Sequence, residues 1–287
     1  MKNYLSLIKF SHTIFAMPFA CVGFFLAYTQ TDAALNWQTL GLIVGCMVFA
    51  RSAAMAFNRY LDRDIDAQNA RTVVREIPAG VISAQSALAF VIINALLFIG
   101  TTWFINPLCF YLSPVALLVI LGYSYTKRFT YLCHFVLGLG LSLAPIGAYL
   151  AVTGRFDVLP ILYSLTVLLW VAGFDIIYAL QDEAFDKSNQ LNSIPVQLGR
   201  KGALQLSNIL HIVCAVAIMT AFYHVNTEGG KFGWLHIIGL STFLGLLLYQ
   251  HTLVKENDLS KVNMAFFTTN GIASVLYGCF FILDYFI

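Results

Sequence analysis

The chain has 287 residues, 59% hydrophobic and only 10% charged, with 16 Lys and Arg against 14 Asp and Glu. An ordinary soluble domain covers its surface with about 25% charged residues. That class is excluded, and apolar runs of about 20 residues recurring along the whole length indicate an integral membrane protein, while a net charge of +2 without a basic cluster leaves no footprint for nucleic acid.

The first apolar run, 13–30, follows Lys2 and Lys9 and ends Ala-Tyr-Thr-Gln without a small-x-small cleavage site. More spans follow, so a retained first helix is expected rather than a cleaved leader. Further spans are expected at 37–59, 83–105, 107–125, 131–152, 158–181, 203–224, 233–251 and 264–285, making an all-α, polytopic bundle of about nine transmembrane helices in a single domain, 1–287. Connections 60–82, 126–130, 182–202 and 252–263 carry most of the charge. With the N-terminus in the cytoplasm, Lys2, Lys9, Arg59, Arg63, Arg71, Arg75, Lys127, Arg128, Lys187, Arg200, Lys201, Lys255 and Lys261 lie inside. Only Arg155 and Lys231 then lie outside, with Arg51 left within the second span. This bias puts both long polar connections, 60–82 and 182–202, on the cytoplasmic side and the C-terminus outside.

At the cytoplasmic end of the second span, Asn58, Asp62 and Asp66 are spaced i, i+4, i+8 and form one stripe. At the same end of the sixth span, Tyr178, Asp182 and Asp186 repeat that spacing, and Asp175 joins their face seven residues before Asp182. Each stripe precedes an Ile-Pro pair, Ile77-Pro78 and Ile194-Pro195, which hints at an old duplication. Carboxylates four apart on one face repel each other, and more strongly at a low-dielectric boundary. A solvated helix end with its acids paired to Arg59 and Arg63 explains one stripe but not two alike. Two stripes call for a hard cation such as Mg²⁺, which commonly bridges carboxylates to substrate phosphates.

Arg71, Arg75, Lys127 and Arg128 stand near the acids in sequence, and Tyr123 shares a helix face with Lys127. Singly, each base serves the positive-inside pattern; beside metal-binding acids, they suit a diphosphate. Arg51 lies two turns deeper than Asn58 on the same face, where a guanidinium needs a partner. Asp175 or the carboxylate of an anionic substrate would supply one. The six cysteines all fall inside apolar runs without ligand spacing and are read as packing residues. His12, His134, His211, His224, His236 and His251 show no metal-ligand spacing and are read as structural. No Gly-rich phosphate loop, GxSxG or HExxH occurs.

These residues resemble the UbiA superfamily of intramembrane aromatic prenyltransferases over essentially the full chain. NRYLDRDID (58–66) is similar to its NxxxDxxxD motif, DIIYALQDEAFD (175–186) to DxxYxxxDxxxD, REIPAG (75–80) to RxxPxG, and YSYTKR (123–128) to YxxxK. SHTIFAMPFA (11–20) and REIPAG look most like the 4-hydroxybenzoate polyprenyltransferase branch, some of whose members are thought to prenylate a dihydroxynaphthoate. The resemblance implies a helical bundle around a central cavity, capped by the two charged loops and open laterally to lipid. It implies that Asn58, Asp62, Asp66, Asp182 and Asp186 hold Mg²⁺. Arg75, Lys127, Tyr123 and Arg71 would contact the diphosphate, with Tyr178 beside them in the second motif, and Arg51 would orient an aromatic acid. The family's Arg-x-x-Lys-Pro opening reads Lys9-Phe10-Ser11-His12-Thr13 here, so Lys9 would replace that Arg as a phosphate contact.

The expected reaction is Mg²⁺-assisted transfer of a polyprenyl group from polyprenyl diphosphate to 4-hydroxybenzoate or a dihydroxynaphthoate in quinone biosynthesis, with Asp175 stabilising the ring cation or accepting its proton. Alternatives are another acceptor, such as a haem, a chlorophyll precursor or a glycerol phosphate, or a cation transporter. A transporter would place its acids near the midplane beside broken helices, whereas these acids cluster at one membrane face.

Overall fold

The apolar runs become helices because a bilayer offers no partner for an unpaired backbone group. The structure, a computed structural model, describes residues 2–7, 15–31, 34–228 and 233–287. In chain order the helices are α1 (Lys2–Leu7), α2 (Met17–Thr29), α3 (Trp37–Leu61), α4 (Arg63–Asp66), α5 (Ala84–Trp103) and α6 (Pro107–Thr126). They continue with α7 (Cys133–Thr153), α8 (Val158–Ala179), α9 (Glu183–Ser188), α10 (Ile194–Glu228), α11 (Trp234–Leu253) and α12 (Asn270–Phe286), the last entered through a π-helical turn, Met264–Thr269. Among the described residues, seven helices are long and apolar enough to cross a membrane, and α2 and α11 occupy the other two expected spans. The short helix α1 was not expected. It lies against the bundle with Leu7 fully buried among Ala53, Ala56, Ile82, Ala87 and Val91.

Polar caps set the ends that matter. Asn36, Ser83 and Asn106 accept hydrogen bonds from the first-turn amides of α3, α5 and α6. Asn106 also donates through Nδ2 to the carbonyls of Leu150 and Ala151, at 2.9 and 3.3 Å, so one amide closes the start of α6 and the last turn of α7. Gly199 (φ 68°) breaks α10 after its first turn. Residues 194–198 therefore belong to the charged connection, as expected, although they are helical.

One half of the bundle is solid. Phe19, Tyr163, Trp170, Phe243, Tyr277 and Phe281, from α2, α8, α11 and α12, are fully buried and meet in edge, tilted and stacked contacts. Their polar tips are satisfied: Trp170 Nε1 donates to Asn270 Oδ1 at 2.8 Å, and the Tyr277 hydroxyl donates to that of Tyr163 at 3.1 Å. The other half, α3, α5, α6 and α7, is thinner and encloses open space. Its outward residues, such as Ile93, Leu96 and Leu118, are exposed apolar side chains, the surface a lipid-facing helix presents.

Close backbone contact joins the halves where glycine allows it. At Gly138 of α7 a Cβ would sit 2.5 Å from the Leu168 carbonyl oxygen of α8, whereas a Cβ at Gly100 of α5 would meet open space. Gly138→Ala is therefore expected to cost about 1–3 kcal/mol through overpacking, read as a lowered Tm in detergent, while Gly100→Ala leaves Tm unchanged or slightly raised.

Candidate active site

Both acidic stripes lie at one end of the bundle, and both are built the same way. Asp62 closes α3 and opens α4 with φ −90° and ψ 7°. Asp182 stands before α9 as the last residue of the 3₁₀ turn that follows α8, with φ −99° and ψ 0°. Each middle aspartate is thus the joint between a membrane helix and a short helix carrying the last acid. The first stripe survives the joint because Asp62 N and Asp66 N still donate four residues back, to Asn58 O at 2.9 Å and Asp62 O at 2.7 Å.

Each aspartate of the two i, i+4, i+8 stripes is held by an arginine or lysine, three of them from a distant segment. Arg71 forks onto Asp182, its Nε and a terminal nitrogen at 3.1 and 2.6 Å, and its other terminal nitrogen donates to the Tyr178 hydroxyl at 3.2 Å. Arg75 reaches both oxygens of Asp66 at 2.6 and 2.7 Å. Arg128 donates to Asp62 Oδ1 and to the Leu61 carbonyl, both at 3.0 Å. Lys127 lies 2.7 Å from Asp186. Four carboxylates meet four cations, so the cluster is neutral as a whole. Burial pushes the Asp62 carboxyl up, with Arg128 pulling it back. Burial would lower the Arg71 guanidinium, but Asp182 and Tyr178 hold it above its ordinary value.

Arg59 and Arg63 do not pair with the motif acids. Arg63 turns to Asp64 and the Tyr60 carbonyl, and Arg59 is buried with its Nε unbonded. The connection that carries Arg71 and Arg75 is held over the acids by local contacts: Thr72 Oγ1 donates to the Asp66 carbonyl at 3.0 Å, and Gly80 turns the chain with φ 72°. Glu76 in that connection accepts a hydrogen bond from Ser6 of α1 at 2.5 Å.

A cavity of about 560 Å³ lies between the stripes, lined by Asn58, the four stripe aspartates, their four bases, Asp175 and Tyr178. Beneath it, an apolar cavity of about 370 Å³ runs between α3, α5, α6 and α7, past Met47, Val119 and Leu143 to Ile105 and Phe156 at the far end. Arg51, Met55, Tyr123, Leu137 and Leu141 line both. Arg51 thus stands at the junction, with Nε buried and unbonded. Asp175 is not its partner: Asp175 Oδ2 lies 2.7 Å from His134 Nδ1.

Among the described residues, no three His, Cys, Asp or Glu side chains converge into a ready-made ion cage. The donor set nevertheless fits a hard cation. It is side-chain oxygen throughout, carboxylate apart from the Asn58 amide, and both oxygens of Asp186 are buried, with Lys127 Nζ 2.7 Å from one of them. Of the residues expected in the site, Lys9 lies outside the described residues, and the rest line the two cavities. Arg128, grouped with Lys127 as a base suited to a diphosphate, pairs with Asp62. His134 is the addition, and an isolated histidine had no sequence signal.

A model of the UbiA prenyltransferase family matches residues 16–272, and the chain belongs to that family. It is 30% identical over 258 residues to a 4-hydroxybenzoate octaprenyltransferase of Aliivibrio fischeri (strain ATCC 700601 / ES114), covering 87% of this chain and 86% of that protein. Among solved structures, the apo form of a UbiA homologue from Aeropyrum pernix K1 is similar with TM-score 0.83 and 31% identity, over 95% of this chain and 98% of that one. A UbiA homologue from Archaeoglobus fulgidus bound to GPP and Mg²⁺ shares the fold at TM-score 0.76 and 20% identity, over 99% and 100% of the two chains.

Removing one member of a buried ion pair leaves the other uncompensated. Arg75→Ala is expected to lower stability by about 2 kcal/mol, below the ~3–5 of a dry pair because the cavity admits solvent. Adding Asp66→Asn should recover part of that loss. The check is Tm in detergent with EDTA.

Proposed function

We propose that this membrane prenyltransferase moves a polyprenyl group from polyprenyl diphosphate to the ring of an aromatic acid, 4-hydroxybenzoate or a dihydroxynaphthoate, with Mg²⁺, in ubiquinone or menaquinone biosynthesis. The observation that carries this reading is the junction at Arg51 and Tyr123, where a charged chamber continues into an apolar tunnel. A diphosphate head and an isoprenoid tail need those two environments end to end. The name of the Aliivibrio relatives and the GPP and Mg²⁺ of the Archaeoglobus homologue support the same reading.

Asn58, Asp62, Asp66, Asp182 and Asp186 hold the metal, which when bound supplies charge neutralisation for the diphosphate. Arg71, Arg75, Lys127 and Arg128 leave their carboxylates to donate to phosphate oxygens, with Tyr123 and Tyr178 beside them. As the allylic C1–O bond breaks, its electrons pass to the diphosphate, which these donors stabilise by several kcal/mol. The tunnel walls keep water from the carbocation. Arg51 takes the carboxylate of the aromatic acid and sets its ring against C1. The ring carbon ortho to the hydroxyl bonds C1, and Asp175 stabilises the ring cation or receives its proton. The excess of basic residues at the charged end supports a cytoplasmic setting for that end and for the N-terminus.

The test incubates purified protein with Mg²⁺, a labelled polyprenyl diphosphate and a panel of aromatic acids. EDTA should abolish product and Mg²⁺ restore it. Asp62→Asn and Asp182→Asn should each lower turnover by at least about 100-fold, the scale of a lost electrostatic stabiliser. Activity near wild type at saturating Mg²⁺ would remove the metal site. Arg51→Ala should raise KM for the aromatic acid by about 10- to 100-fold, the worth of a charged hydrogen bond, with prenyl diphosphate binding retained.

A further inference from the structure

Five aspartates line the charged chamber. Four carry an arginine or lysine. The fifth, Asp175, is held by His134, a buried side chain in the first turn of α7. His134 Nε2 lies 3.3 Å from the backbone nitrogen of Ile194. A backbone N–H can only donate, so Nε2 accepts from Ile194 and Nδ1 donates to Asp175 Oδ2 at 2.7 Å. Asp175 is thus held by an imidazole N–H and not by an arginine or lysine. Its side chain retains 21% exposure, within the chamber.

The histidine also joins two parts of the site. Ile194 opens the helix that follows the second acidic motif, and the residues before it are fastened to the same segment as His134. Asn192 N donates to the Lys127 carbonyl at 2.8 Å, and Cys133 Sγ lies 3.7 Å from the Asn192 carbonyl. His134 therefore ties the aspartate facing the ring to the loop behind the aspartates facing the diphosphate.

We infer that His134 is a positioning residue for ring deprotonation: it occupies Asp175 Oδ2, aims Oδ1 at the junction beside Arg51, and keeps that aim in register with loop 189–193. This rests on the proposed aromatic prenylation. In the step it serves, the ring C–H bond at the newly alkylated carbon breaks, its electrons restore aromaticity, and the proton passes to Asp175 Oδ1. His134 acts by holding and aiming Asp175, with its Nε2 engaged by the Ile194 N–H.

The test compares the full chain with His134→Phe and His134→Gln in nanodiscs, with Mg²⁺, a polyprenyl diphosphate and the aromatic acid that wild type turns over, unlabelled or deuterated on the ring. His134→Phe removes both hydrogen bonds and should lower kcat by about 10- to 100-fold, at or below the usual worth of a general base. KM for both substrates should change little. A primary isotope effect that wild type lacks should appear, because proton removal becomes the slow step. His134→Gln, which can both donate and accept, should return kcat to within a few-fold of wild type and suppress the isotope effect. An unchanged kcat, a loss confined to KM, or a loss of kcat without an isotope effect overturns the proposal while leaving the prenylation reading intact. A wild type that prenylates no aromatic acid overturns both. The isotope effect is a ratio within one preparation, so a partly folded sample reads equally well, and His134→Leu serves if the Phe protein does not fold.

Discussion

Carboxylates gathered at the end of a membrane helix repel one another and lose solvation together, and this chain meets that cost with four cations, three of them drawn from distant segments. Arg71 reaches Asp182 across 111 residues, and Arg128 reaches Asp62 across 66. Three of the four pairs also tie distant segments together, so neutralising the acids and closing the charged end of the bundle are one event. The connection 60–82 folds over the chamber because its own bases are engaged inside it. Burial of a charge is tolerable only when it is paired, and the architecture of this end follows from that rule.

The two stripes share more than spacing. In both, the middle aspartate sits at the same backbone joint, with φ and ψ values nearly identical at Asp62 and Asp182. The joint turns the chain out of the membrane helix and hands the last acid to a short helix, where a base from a neighbouring loop meets it. This matching geometry gives the repeat a structural basis that two Ile-Pro pairs alone could not.

The spans were legible because hydrophobic length is a one-dimensional property, and the stripes were legible because i, i+4 spacing survives in a helix whatever surrounds it. The chamber's content was therefore readable from residues such as Asp62, Asp182 and Lys127. Which base meets which acid was not, since Arg128 and Asp62 are brought together only by the packing of α6 on α3. Arg51 shows both sides: its depth marked it as unusual, but its separation from Asp175 depended on His134, which carries no periodic signal. Helix α1 is too short and polar to stand out, and it is anchored by Leu7, by Tyr4 against Phe90 and by the Ser6–Glu76 contact.

The even match of four acids to four bases has a thermodynamic corollary. On the proposed reading, a divalent ion arriving alone would take carboxylates from their cations and leave those cations bare; a diphosphate arriving alone would strand the carboxylates. Each ligand is thus weak by itself and removes the obstacle to the other, so the two should associate with marked positive cooperativity. By linkage that enhancement is reciprocal: whatever factor the ion adds to the affinity for the lipid diphosphate, the lipid diphosphate returns to the ion.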